Sequence, residues 1–426
     1  RPRRATGGRT TTQARKESVM NNSPIQVHTT VNGQDVSAGT LFTQANHATF
    51  RYSADYIAMA GSYDLAPSLP RSTAPFFFTG LGPFSDSAPD RWGRRLLARE
   101  LKRTRLTEIE YLLGVNDLTR QGATRFFIGD DPVADGSGVP ALADLPDLLN
   151  TADAVQENRD VADLALRRLY RATGSLGGAR PKASVWDNNT LWMAKFPKPN
   201  GDDWDIIGWE AATLHIARMA GIDVPDHRTI SIIDQEGRQR TILLTKRFDR
   251  VLPSPNLQSA QRIPYISALT ALSATDGEGG DWLDLAEFVR AIGADTQELW
   301  RRAVFGAAIG NCDDHLRNHG FLRVSTGWRL SPAFDLNPEP FDPQTEDTHQ
   351  LTLFGDSNIS VHSLFGKDAL ALFGVRLVDA NLWASTLASA LAQAMPYVRM
   401  HHMDSYSVEI MATRFSHAHD AIPQRQ

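Results

Sequence analysis

Apolar and polar residues alternate in short runs near the start of the chain, which is the period of a half-buried β-strand. Two such runs are Ile25-Gln-Val-His and Thr49-Phe-Arg-Tyr. A helix is predicted from Arg91 to Leu101, with Asp90 as its N-cap, because a short carboxylate can accept hydrogen bonds from a first helical turn. Residues 129–143 are rich in Asp, Gly and Pro, which predicts a linker.

The pattern between residues 161 and 250 predicts a small sheet with helices packed on it. Helical spacing places four residues on one face: Val161, Leu164, Ala165 and Leu169. Two hairpins follow, with strands at 183–186, 191–196, 229–233 and 241–246. Between the hairpins, a helix is predicted to end before Gly221, and its inward residues are Trp209, Ala212, Ile216 and Ala220.

Helical periodicity dominates beyond residue 250. Asp295-x-x-Glu298 predicts a capping box ahead of a helix that ends at Gly310. The strands 321–324 and 328–330 flank Ser325-Thr-Gly327 and predict a hairpin, which returns the chain toward that helix end. The last hundred residues are predicted to be mainly helical.

Composition sets the class of protein. A chain of 426 residues, 42% hydrophobic and 22% charged, predicts a globular protein of two or three structural units. The net charge of −5 disfavours a protein that mainly coats nucleic acid. Cys312 is the only cysteine, so no intramolecular disulfide can form, and a cytoplasmic location is expected. No apolar run suggests a membrane span, so no membrane partner is expected.

The first 22 residues are strongly basic and lack an apolar core. They predict a disordered tail, with contact to nucleic acid or to a membrane surface as the alternative.

The most informative chemistry lies in an acid–amide–acid order. Asp313 is followed by Asn318 five residues later and by Asp335 after the predicted hairpin. In phosphoryl transfer one carboxylate orients the attacking hydroxyl, while an amide and a second carboxylate hold Mg²⁺ against the phosphates. The order and spacing predict this chemistry better than any single residue does.

Two other chemistries are compatible with the same stretch. His315 and His319, with nearby aspartates, could ligate a transition metal, but Leu316 stands where a zincin needs Glu. We therefore expect His315 to brace the loop through a hydrogen bond to the backbone or to Asp335. Catalysis by Cys312 would need partner residues that one sequence cannot demonstrate.

A nucleotide site is suggested by three further segments. Consecutive glycines in Gly174-Ser-Leu-Gly-Gly-Ala-Arg-Pro-Lys182 would let backbone N–H groups approach phosphate, although the spacing is not that of a Walker loop. Lys195, on a predicted strand, could reach phosphates and pair with Glu210 on the next helix. Lys246-Arg-Phe248 connects the small sheet to the helical half and could border an adenine. Each segment alone could equally be an ordinary turn or strand end.

Taken together, these motifs resemble the HipA toxins, which are serine/threonine kinases of bacterial toxin–antitoxin pairs. The resemblance covers most of the chain. It rests on Ser175-Leu-Gly-Gly-Ala-Arg-Pro-Lys182, Met193-Ala-Lys195-Phe-Pro, Arg247-Phe-Asp-Arg250, Asn311-Cys-Asp-Asp-His-Leu-Arg-Asn-His and Pro332-Ala-Phe-Asp335-Leu. The motif Pro89-Asp-Arg-Trp-Gly-Arg-Arg extends it into the N-terminal part.

The resemblance implies an α+β, bilobal, protein-kinase-like fold with an N-terminal mixed subdomain, a small-sheet lobe and a mostly helical C-terminal lobe. We place the basic tail at 1–22, the N-terminal subdomain at 23–145, the small lobe at 146–250 and the helical lobe at 251–426.

The resemblance also implies the role of each site residue. Asp313 would be the catalytic base, Asn318 and Asp335 would hold Mg²⁺, and Ser175 would be autophosphorylated, which switches the kinase off. Glu210 would form a structural ion pair with Lys195. ATP would be contacted by Gly177, Gly178, Ala179, Arg180, Pro181, Lys182, Lys195, Lys246, Arg247, Phe248, His315, Asn318 and Asp335.

The implied partners are a HipB-like DNA-binding antitoxin and a protein substrate such as an aminoacyl-tRNA synthetase. Operator DNA would be reached mainly through the antitoxin, because Arg399 and Arg414 are only isolated candidates for direct contact. The alternative is a catalytically silent nucleotide-binding corepressor that acts with a DNA-binding antitoxin.

Overall fold

An antiparallel sheet of six strands, in the order β4-β3-β2-β1-β5-β6, forms the N-terminal part of the computed structural model. The structure describes residues 24–134, 138–175, 178 and 180–423, so the predicted tail at 1–22 lies outside the described residues. The six strands are β1 (Ile25–Val31), β2 (Gln34–Gln44), β3 (His47–Tyr52), β4 (Phe76–Thr79), β5 (Arg125–Ile128) and β6 (Asp131–Pro132). Alternate residues of β1 are buried, as its sequence pattern predicts.

Three helices pack with this sheet: α1 (Ala54–Ala58), α2 (Arg91–Glu100) and α3 (Glu108–Gly114). Asp90 caps α2 by accepting a 2.7 Å hydrogen bond from the Gly93 N–H, which confirms the predicted N-cap. The predicted linker at 129–143 is only partly irregular. Asp131 and Pro132 pair with β5, and residues 142–144 form a 3₁₀ turn.

A second antiparallel sheet lies between two layers of helices. Its order is β7-β8-β10-β9, with β7 (Lys182–Asp187), β8 (Thr190–Lys195), β9 (His227–Ile233) and β10 (Gln239–Lys246). Ile242 and Leu244 pack against α4 (Leu145–Gln156) and α5 (Asp163–Thr173), whereas Leu243 packs toward α6 (Ile206–Met219). Successive side chains of a strand face opposite ways, so both faces of this sheet are covered. Both predicted hairpins and the inward face of α6 are confirmed.

The predicted inward face of α5 is wrong in part. Leu164 is 79% exposed, whereas Leu166, Leu169 and Ala172 are buried. Residues two apart on a helix lie about 200° around its axis, so Leu164 and Leu166 cannot share a face. Packing against α2 and β7 selected the stripe that contains Leu166.

The remainder of the described chain is mainly helical, as predicted. Its helices are α7 (Ala268–Ala271), α8 (Trp282–Ala291), α9 (Thr296–Ile309), α10 (Val361–Leu364), α11 (Lys367–Phe373), α12 (Leu377–Leu391), α13 (Ala394–Met400) and α14 (Ser405–Asp420). Its strands are β11 (Tyr265–Ser267), β12 (Gly280–Asp281), β13 (Gly320–Val324), β14 (Gly327–Leu330) and β15 (Leu351–Thr352). They form the antiparallel sheet β11-β13-β14 and the parallel pair β12-β15.

Helix α9 delivers the chain to the acid–amide–acid stretch. Asp295 caps it by accepting from the backbone N–H groups of Gln297 and Glu298, and it ends at Gly310 in the left-handed conformation. The reciprocal half of the predicted capping box is not formed. The Glu298 carboxylate instead accepts from Arg302 and from the Asp223 N–H, which ties the helix to the chain that follows α6.

No helix in the described ranges is both long enough and apolar enough to cross a membrane.

Candidate nucleotide and catalytic site

Lys195, the last residue of β8, is the centre of a buried ion-pair group. Its Nζ lies 2.9 and 2.7 Å from the two carboxylate oxygens of Glu210 on α6, and 2.6 Å from Oδ1 of Asp335. Asp335 follows the β13–β14 hairpin in the helical part of the chain. One ammonium group therefore connects a strand, a helix and a loop that are far apart in sequence.

The charges of this group do not balance. Burial alone would lower the pKa of Lys195, but the carboxylates of Asp335 and Glu210 raise it above its ordinary value. Burial would raise the pKa of Asp335, yet Lys195 holds it far below its ordinary value. The pKa of Glu210 is raised by burial and by the nearby Asp335 despite the ammonium group. Two carboxylates share one ammonium, which leaves a site that favours a further cation.

Asp335 is positioned by a second set of contacts. Its φ of +59° lies in the left-handed region, and Asn337 Nδ2 donates a 2.9 Å hydrogen bond to Oδ1. The Asn337 N–H donates to Asn311 Oδ1 at 3.3 Å, which connects this segment to the end of α9. Both side-chain bonds to Asp335 end on Oδ1, so Oδ2 can serve a cation. Asp335 and Asn318 both carry the hard oxygen donors that Mg²⁺ prefers, so their chemistry suits this ion.

The loop from Asn311 to His319 presents one of its two adjacent aspartates to solvent. Asp313 is exposed, and its Oδ1 accepts a hydrogen bond from Gln350 Nε2. Asp314 is buried and lies 3.1 Å from His319 Nε2. Only Asp313 is therefore placed to meet a substrate hydroxyl.

His319, rather than His315, braces this loop. Besides its contact with Asp314, the His319 ring packs against the edge of Trp282 at a centroid distance of 5.0 Å. The Nδ1 of His315 is buried without a hydrogen-bond partner in the described part of the chain. The expected hydrogen bond from His315 to the backbone or to Asp335 is thus not formed, because His319 already supplies the buried contact.

The glycine loop before β7 brings two basic groups beside this centre. Gly177 and Ala179 lie outside the described residues. Gly178 has a φ of +108°, and a Cβ there would lie 2.7 Å from Lys182 Nζ, so the loop backbone passes directly over this lysine. Lys182 Nζ lies 3.2 Å from Asp90 Oδ2. Arg180 forms a bidentate pair with Asp202 at 2.8 and 3.1 Å, and Pro181 links the two basic residues.

Ser175 is buried at the other end of this loop. It is 3% exposed, and its Oγ accepts a 2.8 Å hydrogen bond from the Gln121 N–H. The preceding Gly174 packs so closely on Thr119 that a Cβ would lie 2.4 Å from its carbonyl oxygen. The N-terminal part of the chain thus holds the start of the loop by backbone contacts.

The side chains of residues 246–248, at the end of β10, lie in two different environments. Lys246 Nζ lies 3.4 Å from Asp226, and the Phe248 ring packs near Phe334 at a centroid distance of 5.7 Å. Arg247 is buried, and its guanidinium donates to both oxygens of Asp249 at 2.7 and 2.6 Å. The Arg247 side chain is therefore directed into the N-terminal subdomain, and contact with an adenine would have to come from its backbone.

Several residues of the site were missed by sequence reasoning. They are Asp90, Asp202, Asn311, Asn337 and Gln350. Asn337 could have been found, because an amide two residues after a metal-binding carboxylate is within reach of it. The others depend on contacts between distant segments, which no local spacing signals.

Arg414, one of the two candidates for DNA contact, is buried and therefore unsuitable. Its guanidinium is bidentate with Asp347 at 2.7 Å for both bonds, and it also donates to the Glu339 carbonyl. Arg399 is exposed.

Two family models match the chain. A model described as the HipA-like C-terminal domain matches residues 174–406, and one described as the HipA N-terminal domain matches residues 29–118. The first covers the whole ion-pair centre and the loop of Asp313.

Two curated relatives share part of the sequence. A Haemophilus influenzae protein named "Putative kinase" is 22% identical over 147 residues, which is 32% of this chain and 43% of the relative. A Sinorhizobium fredii protein named "Putative kinase Y4dM" is 28% identical over 191 residues, which is 42% of this chain and 44% of the relative. The chain thus spans less than half the length of these curated relatives.

A solved structure covers nearly the entire fold. It is titled as the toxin–antitoxin system HipA, HipB and operator DNA complex of Shewanella oneidensis, and it covers 93% of this chain and 96% of its own. The TM-score is 0.67 at 16% identity, so the likeness shows the fold alone. The predicted α+β, bilobal fold of this type is confirmed.

Proposed function

This chain belongs to the HipA family, and on that premise we propose that it is an ATP- and Mg²⁺-dependent serine/threonine protein kinase. It acts as the toxin of a toxin–antitoxin pair. The observation that carries the proposal is the buried contact of Lys195 with both Glu210 and Asp335. This contact joins the sheet that would hold the nucleotide to the loop that would hold the metal, which phosphoryl transfer requires.

ATP with Mg²⁺ would supply the transferable γ-phosphoryl group and the charge that shields it. Asp335 and Asn318 would hold the cation through oxygen ligands, and Lys195 keeps Asp335 ionised. Lys195, Lys182 and the loop at Gly178 lie where phosphates can replace carboxylates as partners of the ammonium groups.

Asp313 orients the substrate hydroxyl and accepts its proton as the phosphoryl group is transferred. Its exposure lets a protein segment approach, and Gln350 fixes the carboxylate through Oδ1. Adjacent Asp314 cannot take this role, because it is buried against His319.

The placement of Ser175 supports a proposal of self-inactivation by phosphorylation of this residue. In the described conformation its hydroxyl is buried against Gln121, so it must leave this site before it can be phosphorylated. A phosphoserine dianion cannot return to this position, because the position fits an unmodified serine and burying the added charge there is unfavourable. The loop would remain displaced and the phosphate site incomplete.

The solved relative was crystallised with HipB and operator DNA. We extend this to a HipB-like antitoxin as the partner of this chain, through which operator DNA is reached. The substrate proposed is a translation protein, with an aminoacyl-tRNA synthetase as the first to test.

The test is incubation of the full chain with labelled ATP and Mg²⁺, followed by peptide mapping. Wild type should label itself at Ser175. Asp313→Ala should bind ATP but lose transfer by roughly 10²–10⁴-fold, since it lacks the base. Asp342→Ala, which removes an exposed carboxylate elsewhere, is the matched control and should keep full transfer.

Wild-type transfer by Asp313→Ala would overturn the assigned base. ATP binding by wild type without transfer to itself or to any protein, together with normal antitoxin binding, would instead identify the corepressor.

A further inference from the structure

A cluster of three metal-binding side chains lies beside the loop of Asp313. Sγ of Cys312, a ring nitrogen of His349 and a carboxylate oxygen of Asp347 all lie within 4.8 Å of one another. None of these three residues has a role in the proposed phosphoryl transfer. Within the described ranges, they are the group of His, Cys and acidic side chains close enough together to hold an ion.

One member of the cluster is buried and has an unused ligand atom. His349 is 7% exposed, and its Nε2 has no hydrogen-bond partner among the described residues. A buried acceptor without a donor is unfavourable, and a cation would satisfy it.

The charge around the thiol also favours a cation. The carboxylates of Glu339 and Asp347 lie near the Cys312 thiol, and these negative groups attract a positive ion. Arg414 offsets part of this charge, because it donates to both oxygens of Asp347.

We propose that Cys312, Asp347 and His349 bind a borderline-soft divalent cation of the Zn²⁺ class. Thiolate, imidazole and carboxylate are its preferred ligands, and three protein ligands leave the fourth tetrahedral position to water. On binding, the Cys312 thiol proton passes to solvent and the thiolate sulfur coordinates the ion. Ligand atoms around Zn²⁺ lie roughly 3.5 Å apart, so separations of up to 4.8 Å would close by up to about 1.3 Å.

The site is distinct from the Mg²⁺ site in both ligands and chemistry. Asp335 and Asn318 supply only oxygen, which suits Mg²⁺, whereas Cys312 and His349 supply sulfur and nitrogen. The two sites therefore select different ions, and excess Mg²⁺ should not displace the softer one.

A bound cation would affect Asp313 through the residues that directly follow two of its ligands. Cys312 directly precedes Asp313, and His349 directly precedes Gln350, whose side chain holds Asp313. The Gln350 N–H also donates to the Cys312 carbonyl at 3.1 Å. Closing the cluster moves both ends of the Asp313–Gln350 hydrogen bond. We infer that binding lowers transfer, and this second step rests on the proposed kinase function.

Binding is tested with Co²⁺, which replaces Zn²⁺ and gives a thiolate charge-transfer band. The chain has one cysteine, so such a band reports this site alone. Titration of the full chain should give the band at one ion per chain, and Zn²⁺ should abolish it by displacement. Cys312→Ser should lose the band.

Matched variants keep the test independent of folding. His349→Ala retains the thiol and should weaken Co²⁺ binding at least about 10–100-fold, because it lacks a ligand. His362→Ala removes an exposed histidine on α10 and should bind as wild type does. No band in wild type, or an unchanged affinity in His349→Ala, would overturn the site.

The effect on catalysis is measured as the ratio of transfer with and without Zn²⁺ at fixed Mg²⁺ and ATP. We expect a loss of at least about tenfold in wild type at saturation, and no loss in Cys312→Ser. Equal inhibition of both proteins would overturn the coupling. A chain that binds Co²⁺ but transfers no phosphate would refute the proposed function while leaving the metal site intact.

Discussion

Two buried ionic groups, centred on Lys195 and on Asp249, differ in how completely they are satisfied. Asp249 accepts from Arg247 at 2.6 and 2.7 Å, from Arg250 at 2.8 Å and from the Gly122 N–H at 2.7 Å. Although burial favours its neutral form, the two arginines hold the pKa of Asp249 far below its ordinary value. Their remaining N–H groups donate to backbone carbonyls of residues 118–122.

The Lys195 group has the opposite balance. It has two carboxylates for one ammonium, and the pKa of Glu210 remains raised. The Asp249 carboxylate is fully hydrogen-bonded, and its two arginines give the group excess positive charge. The group therefore serves as a structural connection between residues 247–250 and residues 118–122. The negative excess around Lys195 suits a site that receives a cation and a nucleotide.

The largest effect is expected for Lys195→Met, which removes the proposed phosphate contact and leaves Glu210 and Asp335 uncompensated. Phosphoryl transfer should fall by about 10²–10³-fold, measured with labelled ATP. Lys198→Met is the matched control, because its side chain is 56% exposed and contacts only Asp202. Equal losses of phosphoryl transfer in both variants would show that the Lys195 group has no particular role in the reaction.

Asp249→Asn should damage stability instead of chemistry. Breaking one partner of a buried ion pair costs about 3–5 kcal/mol, and here it leaves Arg247 and Arg250 without their anion. Hydrogen exchange of the Gly122 amide, which donates to Asp249, should accelerate, and the urea midpoint should fall. Asp368→Asn, at an exposed position of α11, should change neither. Normal protection of Gly122 in Asp249→Asn would contradict the structural role.

The Asp249 carboxylate should also make the folding stability sensitive to acid. The pKa of Asp249 is lower in the folded chain than in the unfolded one, so its contribution is present above about pH 4. It is lost as the pH falls toward the folded value. Wild-type stability should therefore decline more steeply between about pH 5 and 2 than that of Asp249→Asn, when both are followed by urea unfolding. Parallel curves would refute this.

The smallest effect is expected at Asp90, which caps α2 through one oxygen and contacts Lys182 through the other. Asp90→Ala should cost about 1 kcal/mol for the lost N-cap, in addition to the cost of removing a carboxylate from the buried Lys182 ammonium. Asp90→Asn keeps a capping oxygen and removes only the charge beside Lys182. It should therefore be more stable than Asp90→Ala while changing the KM for ATP. If both variants behave alike, the contact with Lys182 has no separate influence.

Sequence patterns predicted the helices, strands and turns better than they predicted which groups each side chain packs against. The hairpin turn at Asn188 and Asn189, both at positive φ, follows from short polar side chains that tolerate this geometry. Leu164 was misplaced because periodicity fixes a helix but leaves the choice between neighbouring apolar stripes to packing. The direction of Arg247 could not be predicted either, since its partners include backbone carbonyls more than a hundred residues away.

The same distinction applies within the site. Asp313, Asn318 and Asp335 could be proposed as site residues because their order is local to one stretch and one hairpin. Gln350 could not, because its contact with Asp313 spans 37 residues. Local order thus predicts candidate groups, and the long-range contacts decide how each is held.

The loop at residues 118–122 has a consequence for where this protein can be divided. Its backbone receives Arg247 and Arg250 and also holds Ser175 through Gln121. A fragment that begins at residue 146 would contain every proposed reactive side chain, yet both arginines would lose their acceptors. The smallest fragment that folds by itself should therefore be larger than the part that carries the proposed reactive residues. Shuffling the N-terminal subdomain between relatives would also exchange the residues that hold the start of the glycine loop.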